Sequence, residues 1–594
     1  MTHGSAADQA SNAAGGRGDG ETALRDAAPP KDSIKETLIS TIIAFVLAFV
    51  FRGFVIEAFI IPTGSMAPTL MGAHMRFRSP ESGAEWAVGP WFSSPATGEP
   101  LDVQGANPNQ PVVVHDPMTG LRVEGKEVPR LSGDRILVLK YLYALNEPKR
   151  FDVVVFKNPS RREHDKQADG DLQNFIKRLI GLPGEQVALV DGDVFTRKML
   201  EQGVSAGRVG SAAGGGSEEW NKPGWTVARK PVGVQREVWQ TVFDSAYSPL
   251  NPERDGRRWF TTPWAGEGPG WSIDGRRVYE WSGGGVGATV LRWDSDRPFV
   301  RDPLGSPSSN PPTWEIVDRY AYDEIAPSLP NAAAQRAFFP VSDLRLRAGV
   351  EPTGEGLGVA CVVLARGHEF RADLQGTGVA LRMRAVGGEW KELARGSFSG
   401  LRKGVVSDVE FWHVDQSLQV WIDGSKVCEA AYEWGPAERI LHSTGRRLED
   451  LVGSPGKDSV ARLANEAIYR KPGASWGFSG AGVRLHRVAL DRDLFYQPAM
   501  QVPQGVPGLG THPARTVTLG DDQFFVCGDN SPASADGRLW TEVDPWVAAE
   551  IDAAVGVVNR ELMLGKAFFV YFPAPTWVAG RVPVPDFGRM RFIR

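Results

Sequence analysis

The sequence predicts a mainly β fold, with one apolar helix near its start and a β-sandwich inserted late in the chain. Three observations carry this. The 594 residues include 68 glycines and 43 prolines, the residues that punctuate strands with turns. Stretches such as GDRILVLKYLY (133–143), KRFDVVVFKNP (149–159) and VEFWHVDQSLQVWIDGSKV (409–427) alternate or run apolar over strand lengths. Against these, IKETLISTIIAFVLAFVF (34–51) is apolar on all sides after Glu36, the pattern of a helix in a membrane or a core.

The length calls for more than one domain. A hydrophobic content of 42% and a charged content of 23% are ordinary for a globular protein and allow a sizeable core. A net charge of −5, with no basic block longer than Arg161-Arg162, argues against general nucleic-acid binding. The three cysteines, Cys361, Cys428 and Cys527, form no C-x-x-C pair, so no thiolate zinc site can be built, and their number excludes a disulfide framework. A single Cys361–Cys428 bond stays open beside two separate buried thiols, the expected state.

Taken in order, residues 1–33 are Gly, Ala, Ser and charge with Pro29-Pro30, a composition that reads as a disordered tail. Residues 34–52 read as a transmembrane anchor, a helix from about Ser33 to Phe51 with Arg52 snorkelling to the far interface. The clean apolar run is shorter than the roughly 20 residues of a bilayer span, but apolar character resumes in GFVIEAFII. The polar leader is too long for the n-region of a cleaved leader, and no small-residue cleavage site follows, so the anchor is read as uncleaved. Arg25, Lys31 and Lys35 before the helix tilt the orientation towards an inside N-terminus.

Residues 71–129 are rich in Gly and Pro and contain two related turns, Ser79-Pro80-Glu81-Ser82-Gly83 and Asp116-Pro117-Met118-Thr119-Gly120. They look like zinc-ribbon knuckles in which every cysteine is replaced. Hydroxyls and one carboxylate cannot stand in for four thiolates on zinc. The expectation is a metal-free ribbon-like insert; chance P-x-x-G turns are the alternative. Residues 199–513 read as a sandwich of jelly-roll type, resembling concanavalin-like or laminin-G-like domains in the hairpin at 415–424 with its Asp-Gly turn. Fourteen of the 19 tryptophans fall between Trp220 and Trp476, where filling a sandwich core is expected ahead of stacking sugars.

No histidine sits in a nucleophile context, and neither G-x-S-x-G nor H-E-x-x-H occurs. No cofactor or metal motif appears. Ser65, in PTGSMAPTL, follows a strand-like run, with Gly64 to let the backbone turn and Pro68 to fix it afterwards. A serine needs a base. Lys177, between Phe175-Ile176 and Leu179-Ile180, is a candidate because burial disfavours the ammonium form. On residue types alone, an ordinary turn serine and a solvent-facing strand lysine remain open.

Four blocks, in order and after the apolar helix, resemble those of bacterial type I signal peptidases, a serine–lysine (S26-like) family. They are GSMAPTL (64–70), GDRILVLK (133–140), KRLIGLPGE (177–185) and GDNSPASADGR (528–538). The resemblance implies a coiled β-sheet peptidase domain assembled from 53–70, 130–198 and 514–594. It implies Ser65 as nucleophile and Lys177 as base. It implies the Ser65 N–H and Thr63 hydroxyl as oxyanion donors, one such donor being worth roughly 3–4 kcal/mol. Ser534 would hydrogen-bond and orient the lysine amine, with Asp536 and Arg538 as a supporting ion pair. Asp529 and Asn530 are read as structural, holding their own turn through Asx-type bonds. The implied activity is removal of N-terminal signal peptides from exported preproteins by an enzyme anchored in the cytoplasmic membrane, its catalytic domain outside. The partners would be signal peptides and membrane lipid. Two features depart from the family: the long 71–129 segment and the insert at 199–513. The alternative is a membrane-anchored lectin-like binding protein on an inactive peptidase scaffold, which the complete set of box residues argues against. A soluble, DNA-binding, self-cleaving serine–lysine repressor fits neither the anchor nor the charge.

Overall fold

The structure, a computed structural model, describes residues 34–93, 100–102, 111–126, 128–160, 172–199, 218–254, 256–273, 276–283, 287–297, 314–324, 337–452, 462–498, 500–501, 506–574, 576–578, 582–584 and 586–594. The expected tail at 1–33 and the Arg161-Arg162 pair lie outside them. The chain divides into two units at Val55 and Ile56. The first holds the 21-residue helix Ile34–Phe54, which ends three residues beyond the expected Phe51. Leu38, Ile42, Phe45 and Phe49 on it are exposed. The Arg52 side chain lies outside the described ones. Among the described residues no helix is long and apolar enough to cross a membrane.

The second unit is built on an antiparallel sheet in the order Ile56–Ile60, Arg135–Leu139, Met563–Phe572, Val153–Lys157, Asn174–Gly181, Gln523–Cys527 and Val558–Asn559. Strands from before residue 182 thus interleave with strands from after residue 522. In VVVFK, alternate residues face opposite sides. Val153 and Val155 pack with Ile136, Val138, Met66 and Leu70, while Val154 and Phe156 pack with Leu179, Phe524, Val526 and Trp540. A sheet buried on both faces explains why this strand reads as an unbroken apolar run. Beside it, the hairpin of Glu185–Val190 and Asp193–Lys198 turns through Asp191 and Gly192, both at positive φ (49° and 88°), as a two-residue mirror-image turn requires.

Within 71–129, two hairpins carry the knuckle-like turns at their tips: His74–Arg78 with Glu85–Val88, and Val112–His115 with Arg122–Gly125. The tips meet. The Asp116 carboxylate accepts from Ser82 Oγ (2.6 Å) and Thr119 Oγ1 (2.8 Å), and Ser79 Oγ accepts from the Ser82 N–H (3.3 Å). All four residues are buried. Gly83 and Gly120 take the left-handed conformation that closes each knuckle. A carboxylate–hydroxyl network therefore joins the two tips.

The large insert contains two antiparallel sheets. One runs Trp271–Ser272, Val278–Trp281, Val483–Arg492, Leu344–Pro352, Ser407–Val414, Ser417–Ile422 and Ser425–Ala431, with Gln240–Asp244 also on Val483–Arg492. The other runs Trp264–Glu267, Ala288–Trp293, Gly473–Ser479, Gly358–Ala365, His368–Gln375, Gly378–Ala385 and Lys391–Ser397. One core joins them, with Leu346, Phe411 and Val420 from the first sheet against Val363, Phe370 and Trp476 from the second. Trp264, Trp293 and Trp314 fill it, as expected of a sandwich. Asp423 and Gly424 make the expected hairpin turn at positive φ. Cys361 and Cys428 are buried and unbonded. The sandwich strands span only Gln240 to Arg492. Upstream, Thr226–Val227 pairs with Asp193–Lys198 instead, because Trp220, Trp225 and Val227 bury themselves on Ala188, Val190 and Phe195.

Candidate active site

Ser65 lies in a single 3-10 turn, Gly64–Met66, at the end of the edge strand Ile56–Ile60. Asp134 closes the loop at both ends. Its carbonyl accepts from Ile61 N (2.9 Å), its carboxylate from Met71 N (2.9 Å), and its N–H donates to the Met71 carbonyl (2.8 Å). Gly133 permits this, since a Cβ there would lie 1.8 Å from the Ile61 carbonyl oxygen. Met66, Ala67 and Leu70 are fully buried and anchor the loop to the sheet. Gly64 was expected for its backbone freedom, but it is not in the left-handed region. Its missing side chain makes room instead: a Cβ would lie 1.9 Å from Tyr322 Cε1.

Lys177 sits in Asn174–Gly181, paired with Val154 across the neighbouring strand. Its Nζ donates to Ser65 Oγ at 2.8 Å and to the Ile176 carbonyl at 3.2 Å, and lies 5.2 Å from the Phe175 ring centre. Ser65 is 8% exposed and Lys177 4%. Successive strand residues face opposite sides, so Arg178 is directed elsewhere. It forms a bidentate pair with Asp529, Nε to Oδ1 at 2.7 Å and Nη2 to Oδ2 at 2.6 Å, with neither side chain exposed. Burial pulls the guanidinium pKa down, and the Asp529 carboxylate more than reverses that.

The block at 528–538 packs against the Ser65 turn. Asp536 and Arg538 form the expected ion pair, buried and bidentate (2.8 and 2.9 Å), and Asp536 also accepts from the Gly528 N–H. Burial raises the Asp536 carboxyl pKa, but Arg538 outweighs it and holds the group below the usual carboxylate range. Asn530 does not hold its own turn through its side chain, as expected, because its Oδ1 makes no hydrogen bond among the described residues; it reaches the Ser65 turn instead. Its N–H donates to the Ser65 carbonyl (3.0 Å) and its Nδ2 to the Gly64 carbonyl (3.1 Å). Ser534 departs from expectation. Its buried Oγ is not bonded to Lys177 and lies by the Asp536 carboxylate, whose pKa it helps to lower. It is pressed instead against Gly528, where a Cβ would lie 2.2 Å from it. Thr63 precedes the turn, is exposed, and makes no cap bond with its side chain.

The residues missed from sequence are Gly133, Asp134, Arg178, Tyr320, Tyr322 and Asp323. A Gly-Asp step ahead of a strand, and an arginine beside the candidate base, were signals for the first three. The tyrosines and Asp323 lie in an insert with no motif. Among the described residues Asp193, Asp343, Asp415 and Asp493 form a buried carboxylate group, but its cations are side chains of this chain. Lys230 Nζ lies 2.5 Å from Asp415 Oδ1 and 2.8 Å from Asp493 Oδ2, and Arg366 lies 2.6 Å from Asp343. At Ser65 the arrangement is a hydroxyl touching a buried amine, with the turn pinned on both sides, a geometry suited to proton transfer between the two.

Comparison with known proteins places a likeness on the same strands. Residues 123–207 match the family model described as signal peptidase, peptidase S26. A probable signal peptidase I-2 from Synechocystis sp. is 38% identical over 79 residues, 12% of this chain and 32% of the relative. A signal peptidase I from Leptolyngbya laminosa is 47% identical over 62 residues, 10% of this chain and 29% of the relative. Among solved structures, the carbohydrate binding module CBM66 from Bacillus subtilis covers 39% of this chain and 96% of its own at 10% identity and a TM-score of 0.21. The Caenorhabditis elegans galectin LEC-6 covers 26% and 82% at 11% identity and a TM-score of 0.16. TM-scores this low carry no fold assignment, and the sandwich rests on its own sheets. Residues 123–207 are thus similar to the signal peptidase S26 family, and the chain spans about a third of the length of the curated relatives it matches.

Proposed function

We propose that the protein is a membrane-anchored serine endopeptidase that removes N-terminal signal peptides from exported preproteins. The observation that carries the reading is the 2.8 Å hydrogen bond between Lys177 Nζ and Ser65 Oγ, two buried groups 112 residues apart. In the reaction, neutral Lys177 takes the Ser65 hydroxyl proton as Oγ attacks the scissile carbonyl. The C–N bond then breaks, and Lys177 returns the proton to the departing amine. Neutral Lys177 then takes a proton from water, whose oxygen adds to the acyl carbon; the ester C–O bond breaks, and Lys177 returns the proton to Ser65 Oγ. The Ser65 N–H and the Thr63 hydroxyl stabilise the oxyanion. Asp536 and Arg538 keep the block at 528–538 in place, and Ser534 turns to the amine when substrate fills the site, since such bonds are often unformed without substrate. The helix Ile34–Phe54 anchors the chain in the cytoplasmic membrane, where the apolar part of a signal peptide is also held, with the peptidase outside.

The test is cleavage of a preprotein in detergent by the wild type, Ser65→Ala and Lys177→Ala. Both variants are expected to lose at least a thousandfold in kcat. Cleavage retained by either one rules out the pair.

A further inference from the structure

The nucleophile turn is held by a segment of the insert that the chemistry above does not use. Residues 314–324 begin in the sandwich: Trp314 and Ile316 belong to its core, and Ile316 and Asp318 exchange backbone bonds with Val341 and Phe339. The segment then reaches the peptidase and ends in the short turn Ala321–Asp323. Tyr320 Oη donates to the Asp529 carbonyl at 2.9 Å. Tyr322 Oη donates to the Ala73 carbonyl at 2.6 Å, and its ring fills the space left by Gly64 and Gly89. Asp323 Oδ1 accepts from Asn530 Nδ2 at 2.9 Å, the same nitrogen that donates to the Gly64 carbonyl.

That last contact sets an orientation. A carboxylate only accepts, whereas the two ends of an asparagine amide differ, one donating and the other accepting. Asp323 therefore holds the NH₂ end of Asn530 towards Gly64. A flipped amide would set its oxygen against the Gly64 carbonyl, and the turn would move. Asp529, on the adjacent residue, fixes Arg178 beside Lys177. The strap thus touches the Ser65 turn through Asn530 and reaches the Lys177 strand only through Asp529 and Arg178.

We propose that Tyr320, Tyr322 and Asp323 are positioning residues through which the sandwich domain sets the Gly64–Ser65 turn against Lys177. The inserted domain is then a structural part of the active site. The inference rests on the Ser65–Lys177 reading for its effect on rate, but not for its effect on the turn. A displacement of about 1 Å at a reacting group can cost on the order of a hundredfold, so loss of one brace should cost less.

The experiment compares the full chain in detergent with Asp323→Ala, Asp323→Asn and Tyr322→Phe. It measures kcat and KM on a preprotein and hydrogen–deuterium exchange over residues 64–73. For Asp323→Ala we expect about a tenfold fall in kcat with KM within twofold, and exchange at least tenfold faster. Asp323→Asn, which keeps an acceptor, should recover most of both. Tyr322→Phe, which keeps the ring on Gly64, should lose about threefold in kcat. Unchanged exchange in Asp323→Ala overturns the strap whatever cleavage does, and faster exchange with unchanged kcat overturns its positioning role. Continued cleavage by Ser65→Ala refutes the Ser65–Lys177 reading alone, because the exchange result stands without it.

Discussion

Removing Asp529 alone should damage this protein more than removing Asp529 and Arg178 together. The two side chains are fully buried and joined by bonds of 2.7 and 2.6 Å. In Asp529→Leu, the Arg178 guanidinium keeps, among the described residues, hydrogen bonds to the Phe151 carbonyl (2.8 Å) and the Arg594 carbonyl (3.2 Å). Breaking one side of a buried ion pair costs about 3–5 kcal/mol, because a charge is left in a medium that cannot solvate it. At about 1 °C per kcal/mol for a unit the size of Ile56–Arg594, the thermal midpoint should fall by roughly 3–5 °C. Replacing both, as Arg178→Met with Asp529→Leu, removes the stranded charge. The Phe151 and Arg594 carbonyls still lose a donor, so a deficit of about 1–3 kcal/mol should remain. Scanning calorimetry of the two single variants and the double completes the cycle. A double variant whose loss equals the sum of the single losses would refute the reasoning, as would an Asp529→Leu midpoint within about 1 °C of the wild type.

Two further perturbations follow from buried carboxylates. Burial raises the Asp318 pKa from its ordinary 3.8 to about 6, against the pull of Arg492. An acid with a raised folded pKa contributes stability that is fully present below about pH 4 and lost as pH rises through about 6, here on the order of 2–3 kcal/mol. Asp318→Asn should remove that slope, seen as a shrinking stability difference from the wild type at acid pH; parallel pH profiles would count against it. The second concerns the paired knuckles. Asp116→Ala strands the Ser82 and Thr119 hydroxyls without their acceptor and should cost about 1–3 kcal/mol. Replacing Ser79, Ser82, Asp116 and Thr119 together by cysteine should create a four-thiolate site that binds one Zn²⁺ per chain. Cobalt substitution, read from the absorption of tetrahedral Co²⁺, would reveal it, and a spectrum without that band would show that the tips do not approach as described.

Several parts of the fold were legible because they are local. Asp423-Gly424 announced its turn since few other pairs accept positive φ at both positions. The knuckles were visible as P-x-x-G repeats with a glycine at the closing position. Ser65 and Lys177 could be named as candidates from their blocks. Other features left no local trace. The YAYDE segment, 320–324, has no spacing that marks it as a neighbour of residue 64. Asn530 looked like a turn residue because its bonds to Gly64 and Ser65 cross 466 and 465 residues of sequence. Ser534 was expected on the lysine amine but is turned against Gly528, a matter of side-chain packing that composition does not report.

The residues alone determined the β-rich class, the apolar stretch before residue 55, the turns and the chemical types available for a serine–lysine site. These depend on side-chain size, φ preference and the period of apolar positions, all properties of short segments. The tertiary structure decided that Lys177 Nζ meets Ser65 Oγ, that Arg178 faces away onto Asp529, and that Gly64 must lack a side chain because Tyr322 lies over it. Strand register decides which of two adjacent residues faces the nucleophile. That register is set by pairing between segments on either side of a long insert, a relation between distant parts of the chain that no window of sequence contains.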